Sequence, residues 1–488
     1  MLASALVPNS INISATGYKW KEIADLPADL EPLRDRELEA LLEVWNVEKD
    51  RFDTEQVQAF NQRLAREWAI ETGIIEDVYT LDRGTTQTLI ERGIDSSYIP
   101  HNSTNRDPEL VARTIQAHAD ALEGLFAFVT GQRELSVGYV KELHAALLRH
   151  QSTVVVFDSL GNSFETELAK GQYKRLPNNP QRPDGAIHEY CPPEHVASEM
   201  DRLIQWHKEH ESASVPAHIE AAWLHHAFTQ IHPFQDGNGR VARALASLVF
   251  IKLGYFPLVV GRDDRIRYIE ALETADVGST EQLSGLFARI QKRSLTKAIG
   301  HAAEVRSVAT VEAALAVTRD LLVNTGKIIP AEYLNAKSTA PHLLAHTLSL
   351  LNQVATRLND DISRVEKSFS FSSGSSDAGV QDAIRILGPH FHYDPNLRDY
   401  SAGRVLDLTS GSVSSRITVA VHSVGPAFRG LLAFVAYFTH GEGPPIPLCE
   451  DIFRVSYKES AEEVAKRFAV WLDKCLIDGL AAWRRTLV

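Results

Sequence analysis

The stretch IHPFQDGNGRVARALASL, residues 231–248, constrains this chain more than any other, because it sets a glycine-rich turn between two apolar helical patterns. Upstream, HIEAAWLHHAFTQI reads as a helix ending near Ile231. Downstream, RVARALASLVFIKLGY places Val241, Leu245 and Leu248 on one helical face. The central DGNG copies the middle of a calcium-binding EF-hand loop. Such a loop needs a carboxylate two residues before Asp236 and a bidentate glutamate at its twelfth position. Those places hold Phe234 and Leu245, so the turn has another use.

Gly237 and Gly239 permit positive φ and let the backbone approach a ligand closely. The N–H groups of 237–240, at the start of a helix, then form an anion site suited to phosphates. Arg240 and Arg243 are three apart, so both project from the first turn and can clamp further phosphate oxygens. Asp236 supplies one hard carboxylate oxygen, which is what magnesium shared with a nucleotide takes from a protein. His232 can accept a proton from an incoming hydroxyl, and Phe234 is placed to turn inward and fix the loop. Together these parts describe magnesium-dependent transfer of a phosphate-containing group, in which positioning and charge neutralisation do most of the work.

The stretch resembles the signature of the Fic family, His-x-Phe-x-(Asp/Glu)-Gly-Asn-Gly-Arg-x-x-Arg. Every defined position is matched, by His232, Phe234, Asp236, Gly237, Asn238, Gly239, Arg240 and Arg243. VKELHAALL (140–148) is similar to the family's helix ahead of its hairpin. YKRLPNN and IHEYCPPEHVASEMDRLIQWH are similar to its flap and the helix after it. The resemblance covers 60–295 and implies a mainly α core with a small β-hairpin flap.

It also implies an AMP transferase, taking AMP from ATP and attaching it to a Tyr, Thr or Ser hydroxyl of another protein. On that resemblance His232 is the general base and Asp236 the magnesium ligand. Gly237, Asn238 and Gly239 hold phosphates, Arg240 and Arg243 contact them, and a hairpin around 172–190 aligns the target by strand-like pairing. Many relatives carry an inhibitory helix of pattern (Ser/Thr)-x-x-x-Glu-(Gly/Asn), whose glutamate pairs with the second arginine. TGIIED (72–77) offers Thr72 and Glu76, with Asp77 in place of Gly or Asn. ALEGL offers Glu123 and Gly124, but Ala119 stands where Ser or Thr belongs. Glu76 is preferred because its helix runs just ahead of the core; otherwise it is a solvated helix-end residue. The same site allows AMP removal, with Glu76 orienting a water, and a catalytically quiet regulatory or binding module is the reading of another class. ATP as donor rests on the resemblance, since family members also use other phosphorylated donors.

With 488 residues the chain is long enough for two or three domains. Its net charge of −13 argues against binding nucleic acid through a basic surface. Cys191, Cys449 and Cys475 are scattered without CxxC spacing, which fits free thiols in a reducing compartment. The N-terminus has no basic region before Lys19, and the longest apolar run, LLAFVAYF (431–438), is far short of a membrane span. The expectation is a cytoplasmic protein. His218, His225, His226 and His232 lack an HExxH pattern or a Cys partner, so packing suits His225 and His226 better than zinc.

Organisation follows composition and period. Residues 1–59 read as an N-terminal helical segment, 60–295 as the Fic-like region, 296–367 as helical and 377–488 as a small α+β domain of unknown role. Leu344, Leu348, Leu351, Ala355, Leu358, Ile362 and Val365 form an a/d seam, either a long core helix in a bundle or a homo-oligomer interface. SFSFSSGSS (368–376) reads as a linker. RITVAVH, LLAFVAYF and FRVSY read as strands. The last helix opens on a Ser460/Glu463 capping box and turns Val464, Phe468, Trp471, Leu472 and Cys475 inward.

Overall fold

The computed structural model describes residues 18–49, 54–157, 163–180, 185–305, 331–363, 366–376, 379–391, 393, 395–411, 413–425 and 430–487. Contacts group the chain into two units, one of residues up to 34 with 58–291, the other of 35–57 with 292–488.

The first unit is helical. Its elements are α2 (Thr54–Ile75), α3 (Arg83–Arg92), α4 (Pro108–Thr130), α5 (Val137–Leu147), α6 (Val196–Ser212), α7 (Ala217–Ile231), α8 (Asn238–Lys252), α9 (Arg265–Asp276) and the start of α10 (Glu281–Val305). Helix α8 lies at the centre, and α4, α5 and α7 pack on it. Every residue from Val241 to Ile251 is buried, so α8 is not the one-sided amphipathic helix that Val241, Leu245 and Leu248 suggest. A helix apolar all round belongs inside a core. Trp68 on α2 donates to Ser247 Oγ at 3.1 Å, tying the helix before the core to α8. Residues 18–30 run without helix or strand over α6 and α7, ahead of a single 3-10 turn at Glu31–Leu33. Ile23 N donates to Glu199 and Trp223 Nε1 donates to Ala24 O.

A two-stranded antiparallel hairpin, β1 (Thr153–Phe157) with β2 (Ser163–Glu167), follows α5, with Thr153 opposite Glu167 and Phe157 opposite Ser163. This corrects the expected hairpin around 172–190. Among its described residues, 172–180 and 185–190 form no strand apart from an isolated bridge at Ile187. Pro177 and Pro180 remove two N–H groups a ladder would need, and proline is confined to strand edges for that reason.

The second unit is α+β. Helix α1 (Arg36–Lys49) belongs to it, although 1–59 read as a single N-terminal segment. Its sheet is antiparallel, in the order β3 (Phe369–Ser375), β4 (Pro395–Ser410), β5 (Val413–Val424), β6 (Leu431–His440) and β7 (Ile446–Pro447), with β8 (Phe453–Ser456) also on β6. Strand β3 is the expected linker 368–376: Phe371 is buried and pairs with Leu408, and the alternating serines face outward. Strands β5 and β6 are buried on both faces, because helices lie on the sheet. These helices are α11 (Ala331–Leu358), α12 (Val380–Leu387) and α13 (Ala461–Arg485). The seam on α11 is a core seam: Leu344, Leu351 and Ala355 are buried, and the helix packs on β3, β4 and β6. Val365 of that seam lies outside the described residues. The Ser460/Glu463 capping box opens α13, with Trp471 half-buried. Lys292 holds this unit to α1 through Asp35 and Glu37, both at 2.9 Å.

Among the described residues, no helix is long and apolar enough to cross a membrane. All three cysteines are free and buried.

Candidate active site

Helix α7 stops at His232, whose φ of 50° and ψ of 58° put it in the left-handed region. That turn aims the imidazole away from the helix axis. Phe234 is fully buried and stacks on His144 of α5, centroids 3.9 Å apart. His144 Nδ1 accepts from Gly171 N at 2.8 Å, so its Nε2 carries the proton and donates to Asp236 O at 3.0 Å. Burial pushes His144 down to about 4, which keeps the ring neutral and this pattern intact. The family-like motif thus leans on a histidine that the motif does not contain.

Gly237 has φ of 78°, and a Cβ there would lie 2.5 Å from Leu148 Cδ1, so both conformation and space require glycine. It caps α8, whose first turn begins at Asn238. The Asn238 side chain serves the loop itself. Oδ1 accepts from Phe234 N at 2.9 Å, and Nδ2 donates to Phe234 O at 2.7 Å. Its backbone N–H, with those of Gly239 and Arg240, remains at the helix start for an anion.

His232 Nδ1 lies 2.7 Å from Asn178 Nδ2 and 3.1 Å from Asn238 Nδ2. Both amides are oriented by other partners, Asn178 through Lys174 Nζ on its Oδ1 at 2.7 Å. Both therefore present N–H to Nδ1, and the neutral ring carries its proton on Nε2. Burial drives His232 well below the ordinary histidine range, and the charges of Lys174 and His188 add to this. Burial also lowers Lys174 to about 8. Tyr190 stacks flat on the imidazole, centroids 3.8 Å apart at 3°. His188 packs on Tyr190, and Tyr18 stacks on His188 at 4.5 Å.

The two arginines are almost wholly buried and diverge. Arg243 Nη1 meets Glu76 Oε1 at 2.7 Å, and its Nη2 donates to Thr72 O at 3.2 Å. Burial alone would lower Arg243, but the charge of Glu76 and contact with Tyr268 hold it above the usual value. Arg240 Nη2 instead donates to Gln151 Oε1 at 2.8 Å, and burial lowers Arg240. Glu76 sits so close to the anion turn that a Cβ on Gly239 would lie 2.3 Å from its Oε1. The expected departure at Asp77 has a local explanation. Asp77 has φ of 52°, a region that Gly and Asn enter most readily and Asp tolerates. Arg265 also pairs with it at 2.7 Å. Glu123, the competing candidate, is exposed on α4.

Asp236 is 38% exposed at its side chain and lines a cavity of about 630 Å³ together with Glu76, Gln151 and Arg240. Its Oδ1 accepts from Gly237 N at 2.6 Å, leaving Oδ2 toward Gln151 and the cavity. Among the described residues, no group of three or more His, Cys, Asp or Glu could hold a metal. One carboxylate beside a helix N-terminus fits magnesium shared with a nucleotide, which keeps waters and phosphate oxygens as its other ligands. The remaining histidines pack. His225 Nε2 meets Tyr268 OH at 2.8 Å, His226 meets Asp276 at 3.1 Å, and His218 meets Leu33 O at 2.9 Å.

His144, Gln151, Asn178 and Tyr190 were not singled out from the sequence. His144 alone left a signal, a polar residue on the apolar face of VKELHAALL.

Residues 134–250 match the Fic/DOC family. A protein adenylyltransferase, fic-1, of Caenorhabditis elegans is 23% identical over 292 residues, which are 58% of this chain and 49% of that protein. A Fido domain-containing protein of Dictyostelium discoideum is 39% identical over 89 residues, 18% of this chain and 62% of that protein. A protein adenylyltransferase Fic of Drosophila persimilis is 32% identical over 104 residues, 21% of this chain and 20% of that protein. The chain thus spans half or less of the adenylyltransferases it matches. A solved Fic domain containing signaling protein from Bacteroides thetaiotaomicron aligns at 23% identity with a TM-score of 0.46, covering 55% of this chain and 97% of that one. The match from 134 to 250 to the Fic/DOC family takes in His232, the glycine turn and both arginines.

Proposed function

We propose that the protein is an adenylyltransferase, moving AMP from Mg-ATP onto a Ser, Thr or Tyr hydroxyl of a target protein, and that Glu76 restrains it. The hydroxyl oxygen attacks the α-phosphorus, the bond to the β-phosphate oxygen breaks, and pyrophosphate leaves. The hydroxyl proton passes to His232. The neutral ring has its free lone pair on Nδ1, now met by the Asn178 amide. On this reading that N–H occupies the place of the target's O–H, and Asn178 gives way when the target arrives. The main-chain N–H groups of 238–240 and the Arg240 guanidinium bind phosphate oxygens. Asp236 would hold magnesium, which neutralises phosphate charge as it shifts to the leaving group.

The observation that carries the restraint is the Glu76–Arg243 pair at 2.7 Å, with Arg243 1% exposed. While that guanidinium holds a carboxylate it is lost to the γ-phosphate. Free thiols and an ATP-dependent reaction together suit the cytoplasm. The test is to incubate the protein and its Glu76→Gly form with labelled ATP in a cell lysate. Labelled proteins that increase with Glu76→Gly support the reading, and a lysate left unlabelled by both forms rejects it.

A further inference from the structure

The acid and the arginine of the turn make a long ion contact and no direct hydrogen bond. Arg240 Nη2 stands 3.7 Å from Asp236 Oδ2, although two such side chains four apart on a helix start can close to a direct pair. What stands between them is Gln151, two residues before the hairpin that follows α5. Its Nε2 donates to Asp236 Oδ2 at 2.5 Å and to Thr153 O at 3.2 Å, and its Oε1 accepts from Arg240 Nη2 at 2.8 Å.

We infer that Gln151 is a positioning residue, an amide spacer that keeps Asp236 and Arg240 oriented and out of direct hydrogen-bond contact, so that one can take a cation and the other phosphate. This rests on the reading of Asp236 as a magnesium ligand. An amide suits the place because it is neutral and two-faced, giving N–H to the carboxylate and C=O to the guanidinium without neutralising either charge. Arg240 is 3% exposed and cannot escape to solvent. Without the spacer the 3.7 Å contact with Asp236 Oδ2 would close to a direct charge-assisted pair. Asp236 keeps its orientation in either case, since Gly237 N holds Oδ1. Losing Gln151 therefore changes the availability of Oδ2 and not the presence of the carboxylate. The bond to Thr153 O fixes the spacer to the first residue of β1, so the hairpin position sets the site.

The test is manganese binding by electron paramagnetic resonance with a non-hydrolysable ATP analogue, in the Glu76→Gly form so that Arg243 is free. Gln151→Ala is expected to weaken manganese binding roughly 10–100-fold, the range found when a residue supporting a metal ligand is removed. In an Arg240→Ala background the same substitution should change manganese affinity little, because nothing remains to collapse onto Asp236. Unchanged or tighter binding by Gln151→Ala overturns the inference, as does an equal loss with and without Arg240. Asp236→Ala separates the two readings. If it binds manganese as the parent does, the metal assignment itself fails; if it loses binding while Gln151→Ala does not, only the spacer role falls. Thermal unfolding of each variant identifies any loss due to misfolding.

Discussion

Replacing Glu76 by glycine removes the carboxylate held 2.7 Å from Arg243. A hydrogen bond involving charged groups contributes about 1.5–3 kcal/mol. If that interaction must be broken before Arg243 can serve phosphate, its loss tightens Mg-ATP binding by roughly 10- to 150-fold, at about 1.4 kcal/mol per decade. Stripped of its partner, Arg243 is a buried charge left with Thr72 O and Tyr268. Breaking a buried pair costs about 3–5 kcal/mol, and less is expected here because Glu76 is 23% exposed at its side chain. The nucleotide-free variant should therefore melt lower than wild type, while Mg-ATP raises its melting temperature by more. Calorimetry with Mg-ATP and initial rates with labelled ATP make the assay, with Glu123→Gly and Arg243→Ala beside it. Neither control should gain activity, since Glu123 is exposed on α4 and Arg243→Ala removes the phosphate partner too. Unchanged ATP affinity and rate in Glu76→Gly would refute the reasoning, and a gain only in Glu123→Gly would move the restraint to α4.

The remaining predictions concern the base, the turn and pH. His232→Ala should slow transfer on the order of 10²–10⁴-fold with Mg-ATP affinity little changed by calorimetry; full activity would remove the base assignment. Gly239→Ala places a methyl against Glu76 Oε1 and should lower the melting temperature, but distinctly less in the Glu76→Gly background; equal losses in both would show that Glu76 is not what the methyl meets. Burial alone would lower His207, but bonds to Glu211 and Glu220 raise it to about 9, and His207 with Lys252 brings Glu211 down to about 2. The raised histidine stabilises the fold fully below about pH 6.5, an effect lost as pH rises through 9; the lowered carboxylate stabilises it above about pH 4.5, an effect lost as pH falls through 2. The His207 shift corresponds to on the order of 3 kcal/mol spread over its bonds to Glu211 and Glu220, and the Glu211 shift overlaps with it through their shared contact. Chemical denaturation should show greatest stability between those limits, and His207→Gln should flatten the alkaline side; an unaltered alkaline slope would count against the pair.

The anion turn was legible because each residue has a local reason to be there. Gly237 needs positive φ, Phe234 needs a pocket, and the arginines need a first helical turn. Glu76 was legible only through its spacing from Thr72, and the Asp77 mismatch made sense once its backbone was seen to be left-handed. Gln151, Asn178 and Tyr190 carry no pattern. They come from segments roughly 40–90 residues away in sequence, and only the packing of α5 on α8 and of the residues around Asn178 and Tyr190 on His232 brings them to the turn. The misplaced hairpin has a plain cause, since Pro, Asn and Gly mark any turn while strand pairing depends on free N–H groups. Likewise FSFSSGS reads as a polar linker by composition, yet its alternation lets Phe371 enter the core of a sheet supplied by residues further along.

The most direct test of AMP transfer follows the phosphorus. Purified Glu76→Gly protein is incubated with magnesium and ATP labelled at either the α- or the γ-phosphate, with and without lysate, and protein-bound label is counted. The account expects label on protein from the α-position alone, absent when His232→Ala is added, with pyrophosphate released in equal amount. Label arriving from the γ-position, or none from either, would contradict it.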